Sequence, residues 1–294
     1  MLARTSRRQQ REGLAHVAHT LERSLLPDAL PDVPGLQLAS AYRPATAGSQ
    51  AGGDFYDAFL LDHFCWLAIG DICGKDAAAA ALTAMVRHSI RALAFLESSP
   101  AHILRTVNDV MLSHELSGRF ATAILARIDL SPPASSLSSP PASSLSSPPA
   151  SSLSSPAASS LSSLSAPSIS STASLAPQLT LASAGHPGPL LLHPNGHAHS
   201  PPVAGTLLGV LSQPSIHDLT LSLPPGSTLF LYTDGLTDAG APSRAISTAE
   251  LRHQLACHPG SSVAELVRDL EQLALARGQG HLRDDIAILA ARLI

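Results

Sequence analysis

The stretch QAGGDFYDAFLLDHFCWLAIGDICGK, residues 50–75, sets a glycine-flanked aspartate at each end of two apolar runs. Phe55–Leu61 and Phe64–Gly70 read as the arms of an antiparallel hairpin, with Asp62 and His63 as a two-residue turn. In that register the numbers of facing residues sum to 125, so Leu61 meets Phe64 and, at the open end, Asp54 meets Asp71. Facing side chains stand about 4.5–5.5 Å apart at Cβ, and like charges there destabilise the pair. A cation between them removes that cost, so the spacing is a reason to expect a divalent ion. A bulge in either arm would shift the register by one residue.

Charge is scarce elsewhere. The chain has 294 residues, a net charge of −4 and 14% charged residues, against about 25% in an average soluble domain. Residues 131–177 carry no charge at all. Five arginines against two glutamates give residues 1–24 a net +3, which leaves −7 for the rest. A mildly acidic body offers no electrostatic footprint for nucleic acid, so none is expected as a partner. Cys65, Cys73 and Cys257 are too few for a disulfide framework, and a reducing cytoplasm fits best. SRRQQR at Ser6 has the look of a twin-arginine signal, but no apolar segment follows it. No apolar run approaches the ~18 residues of a membrane span. The expectation is a cytoplasmic protein without a membrane partner.

Leu14, Val17, Ala18, Leu21 and Leu25 fall at helical spacing before Pro27, which predicts a helix over residues 3–26. Its apolar stripe suits either packing on the domain or a homodimer seam. LQLASAYRP (36–44) alternates as a strand, and residues 76–97 read as a helix capped by Asp76. Another helix is predicted over 100–116 and a buried strand over 118–130. SSPPASSL then occurs intact at 138–145 and 146–153, with partial copies at period 8. Serine, proline and alanine in tandem cannot build a core, so the repeat reads as a disordered loop expansion joining two neighbouring antiparallel strands. After it come strands at PLLLHP, turning at Asn195-Gly196, at 215–223 and at 227–235. Helices over about 247–256 and 261–277 precede a last buried strand, DDIAILAARLI. The class is α+β, two sheets covered by helices.

Two further aspartates repeat the grammar of the hairpin. Asp234 ends an apolar strand in LFLYTDG and Asp284 opens one in RDDIAIL. Any one of them alone is ordinary turn chemistry. Four at the ends of apolar strands can converge at one rim, and an all-oxygen set favours Mg²⁺ or Mn²⁺ over zinc.

GGDFYD, GDICGK, FATAIL, SAGHPGPLLL, LYTDGLTDA and DDIAIL, in that order, resemble the bacterial RsbU/SpoIIE-type serine phosphatases. These belong to the metal-dependent PPM superfamily that includes protein phosphatase 2C. The resemblance covers about residues 25–294 apart from the insert, and SLLPDALPDVPGLQLASAYRPA is similar to the linker before the family's catalytic domain. It implies an α-β-β-α sandwich of two antiparallel sheets flanked by helix pairs, with an N-terminal linker helix (1–33) and a phosphatase domain (34–294) interrupted by the insert at 131–177. It implies two Mn²⁺ or Mg²⁺ ions held by Asp54, Asp71, Asp234, Asp284 and the backbone carbonyl of Ile72. Asp285 fills the slot where relatives have asparagine or aspartate. Two such ions activate water for in-line attack on phosphorus while the serine alkoxide leaves. By analogy the substrate is a phosphorylated regulatory protein, a STAS-type antagonist of an anti-sigma factor, and an activating partner is a further expectation.

The departures bear on function. The family pattern has Gly-Lys-Gly or Gly-His-Gly after the second aspartate, whereas this chain has GKD. Asp76 either caps the helix, weakens phosphate binding or joins a third metal site. The chain begins almost at the linker helix, so a sensor of its own is expected to be missing. Those two features motivate the alternative of a decayed scaffold with the same fold; a hydrolase of small phosphoesters is a third reading. Lys75, the only lysine, is either a substrate-phosphate ligand or a solvated surface residue. His186 in AGHPGP suits a general acid, but a hydrogen-bonded turn histidine is the preferred reading. His193, His197 and His199 could hold a transition metal, although a hairpin turn tolerates such residues freely. Cys73 reads as an ordinary buried thiol, and the Ala77–Ala81 run as a surface for close helix-on-sheet packing.

Overall fold

The computed structural model describes residues 26–45, 53–114, 118–131, 177–258 and 260–294. The expected hairpin is its reference point. β2 (Phe55–Leu61) and β3 (Phe64–Ile72) pair antiparallel from Phe55↔Gly70 to Leu61↔Phe64, and Asp62 turns the chain at φ +54°. Aspartate tolerates this left-handed conformation. The Ile72 N–H donates to the Gly53 carbonyl at 3.1 Å, which carries the same register past the strand to Asp54 and Asp71.

β3 is buried on both faces, and its alternation sorts two cores. Trp66, Ala68 and Ile72 face helices, whereas Cys65, Leu67 and Ile69 face a second sheet. β4 (Ala121–Asp129), β5 (Gln178–Ala184) and β8 (Leu219–Ser222) complete its sheet, ordered β2-β3-β4-β5-β8. The other sheet runs β1 (Leu36–Arg43), β10 (Ile286–Leu293), β9 (Thr228–Tyr232), β6 (Leu190–Leu192) and β7 (Ala198–His199). Every strand pair is antiparallel.

Two helix pairs cover the outer faces. α1 (Ala77–Leu93) and α2 (Pro100–Leu112) lay Val86, Ile90, Ile103, Leu104 and Val107 on the β2–β5 sheet. Asp76 caps α1, its side chain accepting from the Ala79 N–H. Of the alanine run, Ala79 packs in the core against the sheet and Ala80 is buried, whereas Ala77, Ala78 and Ala81 are exposed. Ser99 caps α2, with Pro100 at its first position, where a missing N–H costs nothing. The short α3 (Asp234–Asp238) follows β9, and α4 (Thr248–Ala256) and α5 (Val263–Arg277) cover the other sheet through Leu251, Leu255, Leu266 and Leu270. Ser262 and Glu265 form a reciprocal capping box on α5. The result is the expected α-β-β-α sandwich.

Several expected bounds shift. The helix predicted to residue 116 ends at Leu112, and that predicted to 97 ends at Leu93. The strand predicted over 215–223 contracts to Leu219–Ser222, because β5 offers partners only from Gln178 to Leu181 there. The strand predicted to 235 stops at Tyr232, and Asp234 opens α3. Of the expected N-terminal linker helix (1–33), residues 26–33 are described and are not helical, as Pro27 would have it. Residues 1–25 and the repeat, save its flanks, lie outside the described residues. The strands that the repeat joins are neighbours as expected, with Ile128 facing Leu179.

Candidate metal centre

One end of the inter-sheet core turns acidic. Along β9 and β10, Leu229, Leu231, Ala287 and Leu289 point between the sheets, and continuing the alternation by one step puts Thr233 and Asp285 on that face. Tyr56 and Ala58 on β2 and Leu67 and Ile69 on β3 do the same, and the next steps are Asp54 and Asp71. The four strand ends meet at one rim, and their polar residues close the apolar slab.

Asp54 is 2% exposed. Its Oδ2 accepts a 2.7 Å hydrogen bond from the Thr233 hydroxyl, which in turn accepts from the Ala287 N–H at 2.9 Å. Burial, then the Asp71 charge, pushes the Asp54 carboxyl well above the usual carboxylate range despite the Thr233 bond. Asp71 is hydrogen-bonded to Asp54 and pushed up to about 6, by burial first and then by Asp234 and Asp284. Asp234, at the start of α3, is raised by desolvation and by Asp284 and Asp238. Asp285 is 4% exposed and accepts from the Ala45 N–H at 2.8 Å and the Tyr42 hydroxyl at 3.2 Å. Burial still raises its carboxyl, against the pull of Ala45 and Lys75.

Two glycines let this rim close. A Cβ on Gly53 would sit 2.3 Å from the Ile72 carbonyl oxygen and 2.4 Å from Asp71 Oδ1. One on Gly235 would sit 1.8 Å from the Asp285 carbonyl oxygen. The Ile72 carbonyl and the Asp71 carboxylate therefore share a wall that only glycine permits.

The structure brings Asp54, Asp71, Ile72, Asp234 and Asp284 to this rim, with Lys75 beside them. The Lys75 ammonium lies 2.7 Å from Asp284 Oδ1 and donates to the Arg283 carbonyl at 3.2 Å. Burial opposes its charge, but Asp284 outweighs burial and raises its pKa. One ammonium against five carboxylates leaves the cluster strongly anionic. Buried carboxylates that repel one another with all-oxygen chemistry fit hard divalent cations. Among the described residues no three carboxylates bring their oxygens within 4.8 Å of one another.

Residues outside the core set are also resolved. Asp76 caps α1 and pairs with Arg119 at 2.7 Å, and the Ala79 N–H and that guanidinium hold its carboxyl below the usual range. His186 is 7% exposed, with Nδ1 2.8 Å from the Thr122 hydroxyl and Nε2 3.1 Å from the Tyr232 carbonyl. Nε2 must donate to that carbonyl, so Nδ1 accepts from Thr122. Burial lowers its pKa to about 3, and the ring is a neutral, hydrogen-bonded residue of the β5–β6 connection, which is the expected turn histidine rather than a general acid. Cys73, expected to be buried, is exposed; the buried thiol is Cys65, pushed up to about 12 by desolvation. Thr233 was not singled out by the sequence, and Asp285 only as a substitute; the alternation of LFLYTDG and the Asp-Asp doublet were the available signals.

Comparison with known proteins bears on the family and the fold. A family model described as Stage II sporulation protein E (SpoIIE) matches residues 62–139 and 172–294. The chain is 24% identical over 274 residues to Protein IcfG of Synechocystis, covering 92% of this chain and 40% of that protein. It is 20% identical over 277 residues to phosphoserine phosphatase RsbU of Bacillus subtilis, covering 94% of this chain and 69% of that protein. The SiaA-PP2C domain of Pseudomonas aeruginosa superposes with a TM-score of 0.69 at 19% identity, covering 99% of this chain and 98% of that domain. The chain thus spans well under half of IcfG and about two thirds of RsbU.

Proposed function

We propose, from the premise that this chain belongs to the SpoIIE family of PP2C-like phosphatases, that it hydrolyses a phosphoserine or phosphothreonine ester on a regulatory protein. The observation that carries the reading is the convergence of carboxylates from four separate strand ends, two of them 2% and 4% exposed, around a single lysine. Charges are not buried together without a counter-charge. PP2C-like phosphatases work with divalent metals such as Mn²⁺ or Mg²⁺, and the residues that would hold two of them are Asp54, Asp71, Asp234, Asp284 and the Ile72 carbonyl.

Bound ions would supply Lewis acidity for an attacking water and for the charge that builds on the phosphoryl oxygens. The chain's own residues prepare that chemistry. Thr233 holds one Asp54 oxygen and fixes the carboxylate's orientation. Tyr42 and Ala45 do the same for Asp285. Lys75 stands at the rim, where a phosphate dianion would arrive. Arg119 offsets the charge of Asp76, and the cap on α1 gives that aspartate a structural task. The chief motive for a decayed-scaffold reading is thereby weakened. His186, with both nitrogens engaged, is not the donor to the leaving alkoxide.

The relation to RsbU supports a phosphoserine protein over a free metabolite, and a STAS-type antagonist is the specific partner proposed. The test is hydrolysis of an aryl phosphate with added Mn²⁺, in the wild type and in Asp71→Asn and Asp234→Asn. Turnover that disappears in both variants supports the enzyme. Absence of turnover with every divalent metal, on aryl phosphate and phosphoserine protein alike, would sink it. Faster cleavage of small metabolites than of a phosphoserine protein would overturn the substrate class alone.

A further inference from the structure

The turn between β6 and β7 carries chemistry that the carboxylate rim does not use. The β6–β7 register, Leu191↔His199 and Leu192↔Ala198, places His193 opposite His197. The backbone bears this out, since the His193 N–H donates to the His197 carbonyl at 2.9 Å. Gly196 closes the turn at φ +83°, and Asn195 Oδ1 accepts from the His197 N–H at 3.0 Å. His197, which leads into β7, and His199 are two apart in extended chain, so they share a face with each other and with His193. Three imidazoles therefore line one side of a seven-residue stretch, HPNGHAH.

Their rings are close. Centroids are 5.1 Å apart for His193–His199, 5.7 Å for His197–His199 and 6.1 Å for His193–His197, with interplanar angles of 7°, 25° and 26°. One ring nitrogen from each lies within 4.8 Å of the other two. Among the described residues this is the one group of three His, Cys, Asp or Glu side chains so disposed. His199 adds an independent sign: its Nδ1 is buried and has no hydrogen-bond partner. A buried imidazole nitrogen ordinarily finds a partner.

We propose that His193, His197 and His199 form a binding site for one borderline transition-metal ion of the Zn²⁺ class, separate from the carboxylate rim. Imidazole nitrogens suit Zn²⁺, Ni²⁺ and Cu²⁺ rather than the hard ions that oxygen ligands take. Zn–N bonds of about 2.0–2.1 Å in a tetrahedron put ligand nitrogens roughly 3.4 Å apart, which the three reach by side-chain rotation on a half-exposed hairpin. Three protein ligands leave a fourth position for water. Burial, the two neighbouring imidazoles and the Arg252 guanidinium all disfavour protonation of His199, so the ligand form of the ring prevails at neutral pH. The site lies at the far end of the sandwich. β6 ends beside Thr228 at the start of β9, and Asp234 lies beyond the other end of that strand, about 20 Å away at ~3.3 Å per residue. β7 is a two-residue edge strand, and an ion held by its last residue and by the turn would pin it to β6.

The test uses the full chain with Mg²⁺ in large excess, so that the carboxylate rim does not compete for the probe. Zn²⁺ titration should show one tight equivalent in the wild type and in Asp71→Asn. That equivalent should be lost in the His193→Gln/His197→Gln/His199→Gln variant. Each single substitution should weaken it by at least the 10–100-fold that losing an outer partner of a ligand costs. Metal-free melting curves check that the variants fold, and Co²⁺ in place of Zn²⁺ should give the intense visible bands of a tetrahedral nitrogen site. Equal Zn²⁺ uptake by wild type and triple variant, or a weak octahedral Co²⁺ spectrum, overturns the site. Loss of the equivalent in Asp71→Asn also overturns it, because the ion would then belong to the rim.

Discussion

Asp54 and Asp71 touch each other inside a slab of leucine and isoleucine, and their proton affinities record the strain. The carboxyl of Asp71 is pushed up to about 6 by burial first and by its neighbours' charges second. A raised folded-state value means that the native protein binds more protons than the unfolded chain between pH ~4 and pH ~6. Stability from this group is therefore lost as pH rises through that window, by on the order of 2–3 kcal/mol for a shift of about two pH units. Metal-free wild type, compared with metal-free Asp71→Asn in urea melts, should lose ground to the variant between pH ~4.5 and pH ~7. Added Mn²⁺ should reverse the order at neutral pH; a difference independent of pH would count against the buried, repelling pair. Thr233 acts one layer out, through its bond to Asp54 Oδ2. Thr233→Val keeps the shape and removes the donor, so Mn²⁺ affinity should fall by roughly 10–100-fold with little change in melting temperature. Unchanged affinity would leave Thr233 no part in orienting Asp54.

At the scale of elements, the rim depends on how closely α3 approaches the start of β10. Gly235 packs its Cα against the 285–286 peptide, and a methyl there would meet the Asp285 carbonyl oxygen at 1.8 Å. Its backbone needs no special φ; close approach alone selects glycine. Gly235→Ala should shift that peptide, costing about 1–3 kcal/mol in overpacking and disturbing Asp284 and Asp285 together. Calorimetric melting and Mn²⁺ titration check this, and a variant with native affinity would show that the contact is not what sets the rim. The cap on α1 belongs to the same scale. Asp76 answers the helix's free N–H groups and takes Arg119 as partner, so Asp76→Gly should lower melting temperature yet leave aryl phosphate turnover in place. Abolished turnover in a folded Asp76→Gly protein would instead make Asp76 part of the catalytic rim.

Across the whole molecule, two sheets are held together by a thick apolar layer and, near the acidic rim, by the neutral His186 between Thr122 and Tyr232. β4 and β5 are paired on either side of the sequence that joins them, with Ile128 facing Leu179. Closing a loop of more than forty residues costs about 2 kcal/mol more entropy than closing one of five. Replacing residues 132–176 by a five-residue turn should therefore raise the urea midpoint and leave Mn²⁺-dependent turnover intact. A loss of folding or of turnover would assign those residues a structural or catalytic task.

Local chemistry made much of this readable beforehand. Period-two alternation and a two-residue turn determined the β2–β3 register, and with it the meeting of Asp54 and Asp71, because each depends on neighbours within about twenty residues. The capping of α1 by Asp76 was legible for the same reason. Tertiary structure alone decided that β10 lies between β1 and β9, which carries Asp285 to Tyr42 and Ala45 across 240 residues of chain. It also turned Asp234 onto a short helix, exposed Cys73, and engaged both nitrogens of His186 between the sheets. Patterning tells which face of a strand is apolar, but which distant strands share that face is settled by the packing of the whole core.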